Sequence, residues 1–111
     1  MSTLLLMREG PAQVSLARER IDIALMGLAL DEAVTVAFIG DGVFQLLPET
    51  VDSDGLSLLK LVRSLALYDV TDIWVEQESM RERHLAEVDP IAKPITREQL
   101  RRLIHQQDRL L

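Results

Sequence analysis

The sequence predicts an α/β domain with three layers, α/β/α, built around a mostly parallel sheet of four to five strands. Short apolar runs bounded by turn residues alternate along the chain with segments whose apolar residues recur at helical spacing. Such alternation is typical of βαβ units, in which parallel strands lie buried between helices. No internal repeat or linker interrupts the pattern, so we expect one domain over residues 1–111.

The first half of the chain provides two of these units. Residues 4–7 form a continuous apolar run that predicts a strand buried on both faces. Ser15 is placed to cap the helix that follows, and residues 34–39, rich in β-branched side chains, predict the second strand. Asp54 is placed to cap a second helix that continues to about Leu67.

The second half is predicted to complete the sheet. We expect a strand at residues 72–75, a short charged helix at 79–85, a brief strand at 90–92 and a strand stub within 108–111. Thr96 and Gln99 have the spacing of a capping box, in which each side chain satisfies a backbone donor of the other residue. This pair predicts a helix that continues to about Gln107.

Charge and cysteine content exclude several functions. Eighteen acidic against twelve basic residues give a net charge of −6, which argues against direct binding of nucleic acid. The chain has no cysteine, which excludes disulfides, thiolate metal sites, thiol nucleophiles and persulfide carriage. No apolar run approaches the roughly 20 residues of a membrane span, and no signal-peptide core is present. We therefore expect a cytoplasmic protein that does not enter membranes.

Both early helices are more apolar than one buried face requires. The residues outside the main apolar stripes are Ile23, Met26, Leu30, Leu56, Leu61 and Leu67. Exposed apolar patches usually mark surfaces of association, although scattered single leucines are also common on protein surfaces. We favour association.

Few residues have a pattern that is typical of a catalytic, metal-binding or ligand-binding site. His84 and His105 belong to no metal-ligand spacing, and both are expected on exposed helix surfaces. The Gly40–Gly42 segment follows a strand, but it is interpreted as a turn rather than as a phosphate loop. Glu76 and Glu78 follow the third strand, but where the next helix has begun residues two apart do not stack, so they are expected to form a poor general acid/base pair. The sequence thus predicts no catalytic residue, no metal site and no cofactor site.

Three segments carry a family resemblance. Residues 41–48 read DGVFQLLP, residues 67–70 read LYDV, and Trp74-Val75 is followed by Arg81-Glu82-Arg83, which we expect on a solvated charged helix. In this order and spacing they resemble the TusC/DsrF family of sulfur-relay subunits. The family has a glycine where His84 stands here.

This resemblance implies a DsrEFH-like fold and a place in a complex. TusC-like subunits assemble with TusB-like and TusD-like subunits as a heterohexamer with two copies of each. Sulfur arrives from a TusA-like donor, passes through the TusD-like subunit to a TusE-like acceptor, and ends in 2-thiolated wobble uridine of tRNA. Glu76 stands at the position of the sibling subunit's reactive cysteine, so the resemblance implies a non-catalytic subunit.

Several alternatives stay open. Val43, Phe44, Leu46 and Leu47 are candidates for a partner interface, although the same side chains would equally suit the chain's own core. A DsrF-like subunit of a sulfur-oxidation complex has the same sequence features as a subunit for tRNA thiolation. Two other possibilities are a self-associating homo-oligomer and a flavodoxin-like domain that binds a small ligand at Gly40–Gly42.

Overall fold

A computed structural model describes residues 2–30, 33–68, 70 and 72–111, and its strands and helices alternate along the chain. The strands are β1 (Ser2–Met7), β2 (Ala33–Phe38), β3 (Ile73–Glu76), β4 (Lys93–Ile95) and β5 (Arg109–Leu110). The helices are α1 (Val14–Ala29), α2 (Leu58–Leu65), α3 (Gln77–Glu82) and α4 (Arg97–His105). Three 3₁₀ segments lie at Pro11–Gln13, Gly40–Leu46 and Ala66–Tyr68.

The five strands form one sheet in the order β4-β3-β2-β1-β5, and every neighbouring pair is parallel. This confirms the predicted parallel α/β fold, including the two-residue fifth strand. β1 and β2 pair over their whole length, from Ser2 opposite Ala33 to Met7 opposite Phe38. Because all strands are parallel, their carboxyl ends meet at one edge of the sheet.

Helices cover both faces of the sheet, as predicted, but unequally. On one face α1 and α2 pack against β1, β2 and β3, and Met80 of α3 joins this cluster. On the other face Leu100 of α4 packs with Leu4, Leu6, Ala37 and Ile95. A single nine-residue helix therefore provides the third layer. None of the helices in the described part of the chain has the length and apolar character of a membrane span.

Two predicted helix caps are wrong. α1 begins at Val14 with Gln13 as its N-cap, because a 3₁₀ turn runs directly into the helix and places Ser15 inside it. α2 begins at Leu58 with Ser57 as its N-cap. Asp54 lies in a turn instead, where its backbone N–H donates to the carboxylate of Asp52 at 2.9 Å.

The predicted fourth strand is displaced by three residues. Residues 90–92 form a turn, because the Asp89 carboxylate accepts the N–H of Ile91 at 3.0 Å and the Asp89 carbonyl accepts the N–H of Ala92. The strand begins only at Lys93. Pro94 is tolerated within it because β4 is an edge strand, where a missing N–H breaks no ladder bond.

The predictions for the last two helices differ in outcome. The capping box of α4 is confirmed, since Thr96 and Gln99 exchange hydrogen bonds of 3.0 and 3.1 Å. α3 lies at Gln77–Glu82, earlier than predicted, and ends before His84, whose φ is +57°. Asp69 and the side chain of Tyr68 lie outside the described residues.

Candidate functional site at the carboxyl end of the sheet

Polar side chains gather where β2, β3 and β4 end. We call them the carboxyl-end cluster; its members are Asp41, Glu76, Glu78, Ser79, Glu82, Arg83 and Arg97. They come from the segment after β2, from the end of β3, from α3 and from the start of α4. The parallel sheet is what brings these four elements to one edge.

Glu76 lies at the centre of this cluster. It is the last residue of β3 and the N-cap of α3, and it is only 6% exposed. Strand alternation directs its side chain to the face that carries α4. There its Oε1 accepts a hydrogen bond from Arg97 Nη2 at 2.9 Å and one from the hydroxyl of Ser79, which is itself buried.

These contacts determine the charge of Glu76. Burial alone would raise the pKa of this carboxyl, because water stabilises its ionised form. The hydrogen bonds from Arg97 and Ser79 and the positive charges of Arg97 and Arg83 outweigh burial, so the pKa is lowered. A carboxylate already bound by a guanidinium and a hydroxyl is a weak base. The cluster is therefore suited to holding elements in place rather than to transferring protons.

Arg97 connects three elements, and the sequence predictions missed it. Its guanidinium contacts Glu82 at 3.0 Å as well as Glu76, and its backbone N–H donates to both carboxylate oxygens of Glu78 at 3.0 Å. The hydrogen bonds from the guanidinium to Glu76, first, and to Glu82 raise the pKa of Arg97. Glu76 and Glu78, which are expected to form a poor general acid/base pair, thus bind different groups of one residue, the guanidinium and the backbone N–H of Arg97. The only available signal was a cation at the first position of a predicted helix.

A second set of contacts joins α3 to the segment after β2. Arg83 Nε donates to Asp41 Oδ1 at 2.9 Å, and Arg83 Nη1 donates to the carbonyl of Ser79 at 3.1 Å. The N–H of Gly40 donates to Ser79 Oγ at 2.9 Å. The start of the DGVFQLLP motif and the end of the Arg-Glu-Arg motif are therefore in contact. The expectation that residues 81–83 form a solvated charged face is wrong for Arg83, because three quarters of its side chain is buried.

The two glycines of this segment have different roles. Gly40 has a φ of +53°, which confirms the predicted use of glycine in a turn. A Cβ on Gly42 would lie 2.0 Å from the carbonyl oxygen of Met7, so close approach to β1 requires glycine there. Neither N–H is free to hold a phosphate, because that of Gly40 is bound by Ser79 and that of Gly42 by the Ile39 carbonyl.

The structure divides the predicted interface segment. Val43 and Leu46 are fully buried in the chain's own core, so they are not available to a partner. Phe44 and Leu47 are half-buried. Gln45 between them is also fully buried, and its amide donates to the carbonyls of Glu9 at 3.1 Å and Gly10 at 2.7 Å. Of the four candidates for a partner interface, Phe44 and Leu47 are therefore the two whose side chains keep some exposed surface.

Most of the apolar residues outside the main stripes of the first two helices are exposed, as the sequence indicated. The exposed fractions are 54% for Ile23, 67% for Met26, 75% for Leu30, 36% for Leu56 and 84% for Leu67. Leu61 differs, because it packs partly against the core. The exposed histidines lie apart: His84 follows α3 rather than lying on it, and His105 ends α4. Within the described ranges no three metal-binding side chains come together.

Comparisons with known proteins agree with this architecture. Residues 1–111 match the DsrE/DsrF-like family. The TusC homolog of Vibrio parahaemolyticus is 36% identical over 110 residues, covering 96% of this chain and 93% of that protein. The TusC protein of Shigella dysenteriae is 37% identical over 109 residues, covering 91% and 89%. The crystal structure of the ychN protein from E. coli has the same fold, with a TM-score of 0.79 at 16% identity, and covers 100% of this chain and 97% of that one.

Proposed function

Because the chain belongs to the DsrE/DsrF-like family, we propose that it is a TusC-like, non-catalytic subunit of a sulfur-relay complex. The observation that carries this proposal is the state of Glu76. It occupies the position that the family resemblance assigns to the reactive cysteine of a sibling subunit, and it is buried and ion-paired there. Persulfide chemistry needs a thiolate, which a carboxylate cannot replace.

In this proposal the chain acts as a scaffold. TusB-like and TusD-like subunits complete a heterohexamer with two copies of each, and the TusD-like subunit carries the sulfur. Sulfur enters from a TusA-like donor and leaves to a TusE-like acceptor for 2-thiolation of the tRNA wobble uridine. The absence of cysteine from the sequence supports the scaffold role, since this chain cannot itself accept the sulfur.

The surfaces available for assembly are apolar. Phe44 and Leu47 lie half-buried in the segment that follows β2. Ile23 and Met26 of α1, and Leu30 at its end, are largely exposed. Covering such side chains with a partner contributes about 25 cal/mol for each Å² of apolar surface removed from water. Assembly would thus remove the exposed apolar surface that a lone chain leaves in water.

Native mass spectrometry of the chain, alone and co-expressed with its TusB-like and TusD-like neighbours, tests the proposal. We expect a complex with two copies of each of the three subunits. A chain that stays alone, or that forms only its own oligomer, would contradict the proposed assembly. The content of 2-thiouridine in tRNA after deletion of the gene tests the pathway: a loss supports tRNA thiolation, whereas an unchanged content would favour a sulfur-oxidation complex.

Phe44→Asp tests whether Phe44 lies in the interface with a partner subunit. A charged side chain at a half-buried position that faces a partner should weaken the complex at least tenfold and leave the isolated chain folded. Leu46→Asp is the matched control, because Leu46 is fully buried in the same segment and its replacement should unfold the chain. A Phe44→Asp chain that assembles normally, or that unfolds like the control, would exclude Phe44 from the interface.

A further inference from the structure

A groove between α1 and α2 is lined by cations and hydroxyl groups. It has a volume of about 380 Å³, and its walls come from α1, from the turn before α2 and from α2 itself. The side chains that line it are those of Arg18, Leu56, Ser57, Lys60, Leu61 and Ser64. None of the acidic side chains in the described part of the chain belongs to its walls. We call it the α2 groove.

Ser57 is the N-cap of α2, yet its side chain does not cap the helix. An N-cap hydroxyl ordinarily accepts a backbone N–H of the first helical turn, as Thr96 accepts that of Gln99 at the start of α4. Ser57 is only 8% exposed, lines the α2 groove, and has no hydrogen-bond partner among the described residues. Because a buried polar group without a partner is costly, this hydroxyl indicates a ligand in the groove.

The charges beside Ser57 favour an anion as this ligand. Lys60 is the third residue of α2, and Arg18 reaches the groove from α1. Both are exposed, and neither forms an ion pair within the described ranges. The N-terminus of a helix adds a partial positive charge, because its first N–H groups have no acceptor within the helix.

The nearest acidic residues leave these cations available. The carboxylate of Asp52 accepts the N–H groups of Asp54 and Leu56 at 2.9 and 2.8 Å, so it is occupied within its own turn. Asp54 is exposed in that turn, and Asp22 lies one helical turn beyond Arg18 without forming an ion pair with it. None of the three carboxylates lines the α2 groove.

We propose that the α2 groove binds the phosphate group of a small phosphorylated molecule. A hydroxyl, an ammonium and a guanidinium are donors that several phosphate oxygens accept at once, and a helix N-terminus is a common place for such an anion. The volume suits a small ligand rather than a bare ion, and Leu56 and Leu61 offer apolar surface to its organic part. This inference goes beyond the proposed function and does not depend on it.

A nucleic acid fits the α2 groove less well. Its affinity for a protein comes from many Lys and Arg contacts along the phosphate backbone, whereas two cations line this groove and the net charge of the chain is −6. Free phosphate shares the chemistry of a phosphate ester, so the two sources are separated by experiment.

Nuclear magnetic resonance of the full chain labelled with ¹⁵N tests the proposal. Inorganic phosphate should shift the amide resonances of Ser57 and Lys60 in a saturable way, and sodium chloride at the same ionic strength should not. Glycerol 3-phosphate should bind more tightly than inorganic phosphate, because its organic part contacts the apolar wall. Equal affinity for the two would overturn the assignment to a phosphate ester and leave free phosphate as the ligand.

Three substitutions identify the donors. Ser57→Ala, Lys60→Gln and Arg18→Gln should each weaken the affinity for phosphate by about fivefold or more. The matched controls are Lys93→Gln and Arg101→Gln, which remove the same charge at exposed positions outside the groove and should leave the affinity unchanged. Without phosphate, Ser57→Ala should melt at the temperature of the wild type, because the hydroxyl does not cap α2.

Several results would overturn the proposal. Resonance shifts no larger with phosphate than with sodium chloride, or an equal loss of affinity in the control variants, would exclude a specific site. A Ser57→Ala chain that melts at a lower temperature would show that the hydroxyl stabilises the helix rather than awaiting a ligand. A short RNA that binds more tightly than glycerol 3-phosphate at the same ionic strength would assign the groove to nucleic acid. None of these results bears on the proposed assembly, which is measured separately.

Discussion

At the scale of a single residue, Glu76 combines burial with full ionisation. Its carboxylate is removed from water, but Arg97 and Ser79 replace the lost hydration with two hydrogen bonds. Arg97 is itself nearly half exposed, so solvent screens part of the attraction between the two charges. The pair therefore stabilises the native state less than a fully buried ion pair of the same geometry would.

The lowered pKa of Glu76 makes the stability of the fold depend on pH. A carboxyl whose pKa is lower when folded stabilises the protein above its unfolded pKa, about 4.3 for glutamate, and this contribution is lost as pH falls through the folded pKa. Glu76→Gln should lower the free energy of unfolding at pH 7 by about 1–2 kcal/mol, because Arg97 and Ser79 lose a charged acceptor. The difference between variant and wild type should shrink as the pH is lowered below about 4.

Urea denaturation between pH 3 and 7 measures this dependence. Glu87→Gln is the control, because Glu87 is exposed and forms no ion pair within the part of the chain that the structure describes. An equal loss of stability for Glu76→Gln at pH 3 and pH 7 would contradict the assigned ionisation.

Sequence patterns identify Glu76 of the carboxyl-end cluster but not its partner Arg97. Glu76 is identified because it follows a predicted strand and aligns with a family position. Arg97 is 21 residues further along the chain, and its contact with Glu76 depends on β3 and β4 being neighbours with Glu76 opposite Ile95. Local periodicity carries no information on which strands are adjacent, so this partner could not be predicted.

At the scale of the elements, the backbone just after α3 holds His84 in a conformation that suits glycine better. His84 has a φ of +57°, and Leu85 closes the turn by donating its N–H to the carbonyl of Met80 at 2.9 Å. Helices often end in this left-handed conformation, and glycine is the residue that adopts it without steric cost. The family resemblance places a glycine here, which the geometry explains.

His84→Gly should raise the free energy of unfolding by roughly 1 kcal/mol, because it relieves the left-handed strain at an exposed position. His105→Gly is the matched control: His105 is also exposed but lies in the last turn of α4, where glycine should cost about 0.5–1 kcal/mol. Thermal unfolding of both variants measures the difference. Destabilisation of similar size in both would contradict the role assigned to the left-handed residue.

Predictions of whole elements succeed more often than predictions of their ends. The strands β1 and β2 follow from continuous apolar runs, since burial on both faces leaves little choice of conformation. The apolar residues Ile91 and Ala92 predict the fourth strand too early, because the Asp89 side chain accepts the backbone N–H of Ile91 and forms a turn there. Such side-chain contacts to the backbone decide boundaries, and composition does not reveal them.

At the scale of the whole molecule, the two helical layers contribute unequally. α1 and α2 share one face of the sheet, whereas α4 alone covers the other, and Leu100 is the one α4 residue in the described chain that is almost fully buried, at 3% exposure. Leu100→Ala should therefore lower the free energy of unfolding by about 3 kcal/mol, since it leaves a cavity that a single helix cannot refill.

Leu30→Ala is the control for this substitution, because Leu30 is 75% exposed and its truncation should change stability by less than about 0.5 kcal/mol. Chemical denaturation measures both variants. If Leu100→Ala unfolds at the same denaturant concentration as Leu30→Ala, then α4 does not contribute to the cooperative core.

The net charge of the whole chain also affects how it meets other molecules. With a charge of −6, the chain repels an acidic partner over about one Debye length, roughly 10 Å at 0.1 M salt. Moderate salt should then accelerate the encounter with such a partner, because it screens the repulsion. The exposed apolar side chains of α1 act only at contact and are insensitive to this screening, so charge governs how often the surfaces meet and apolar burial governs how long they stay together.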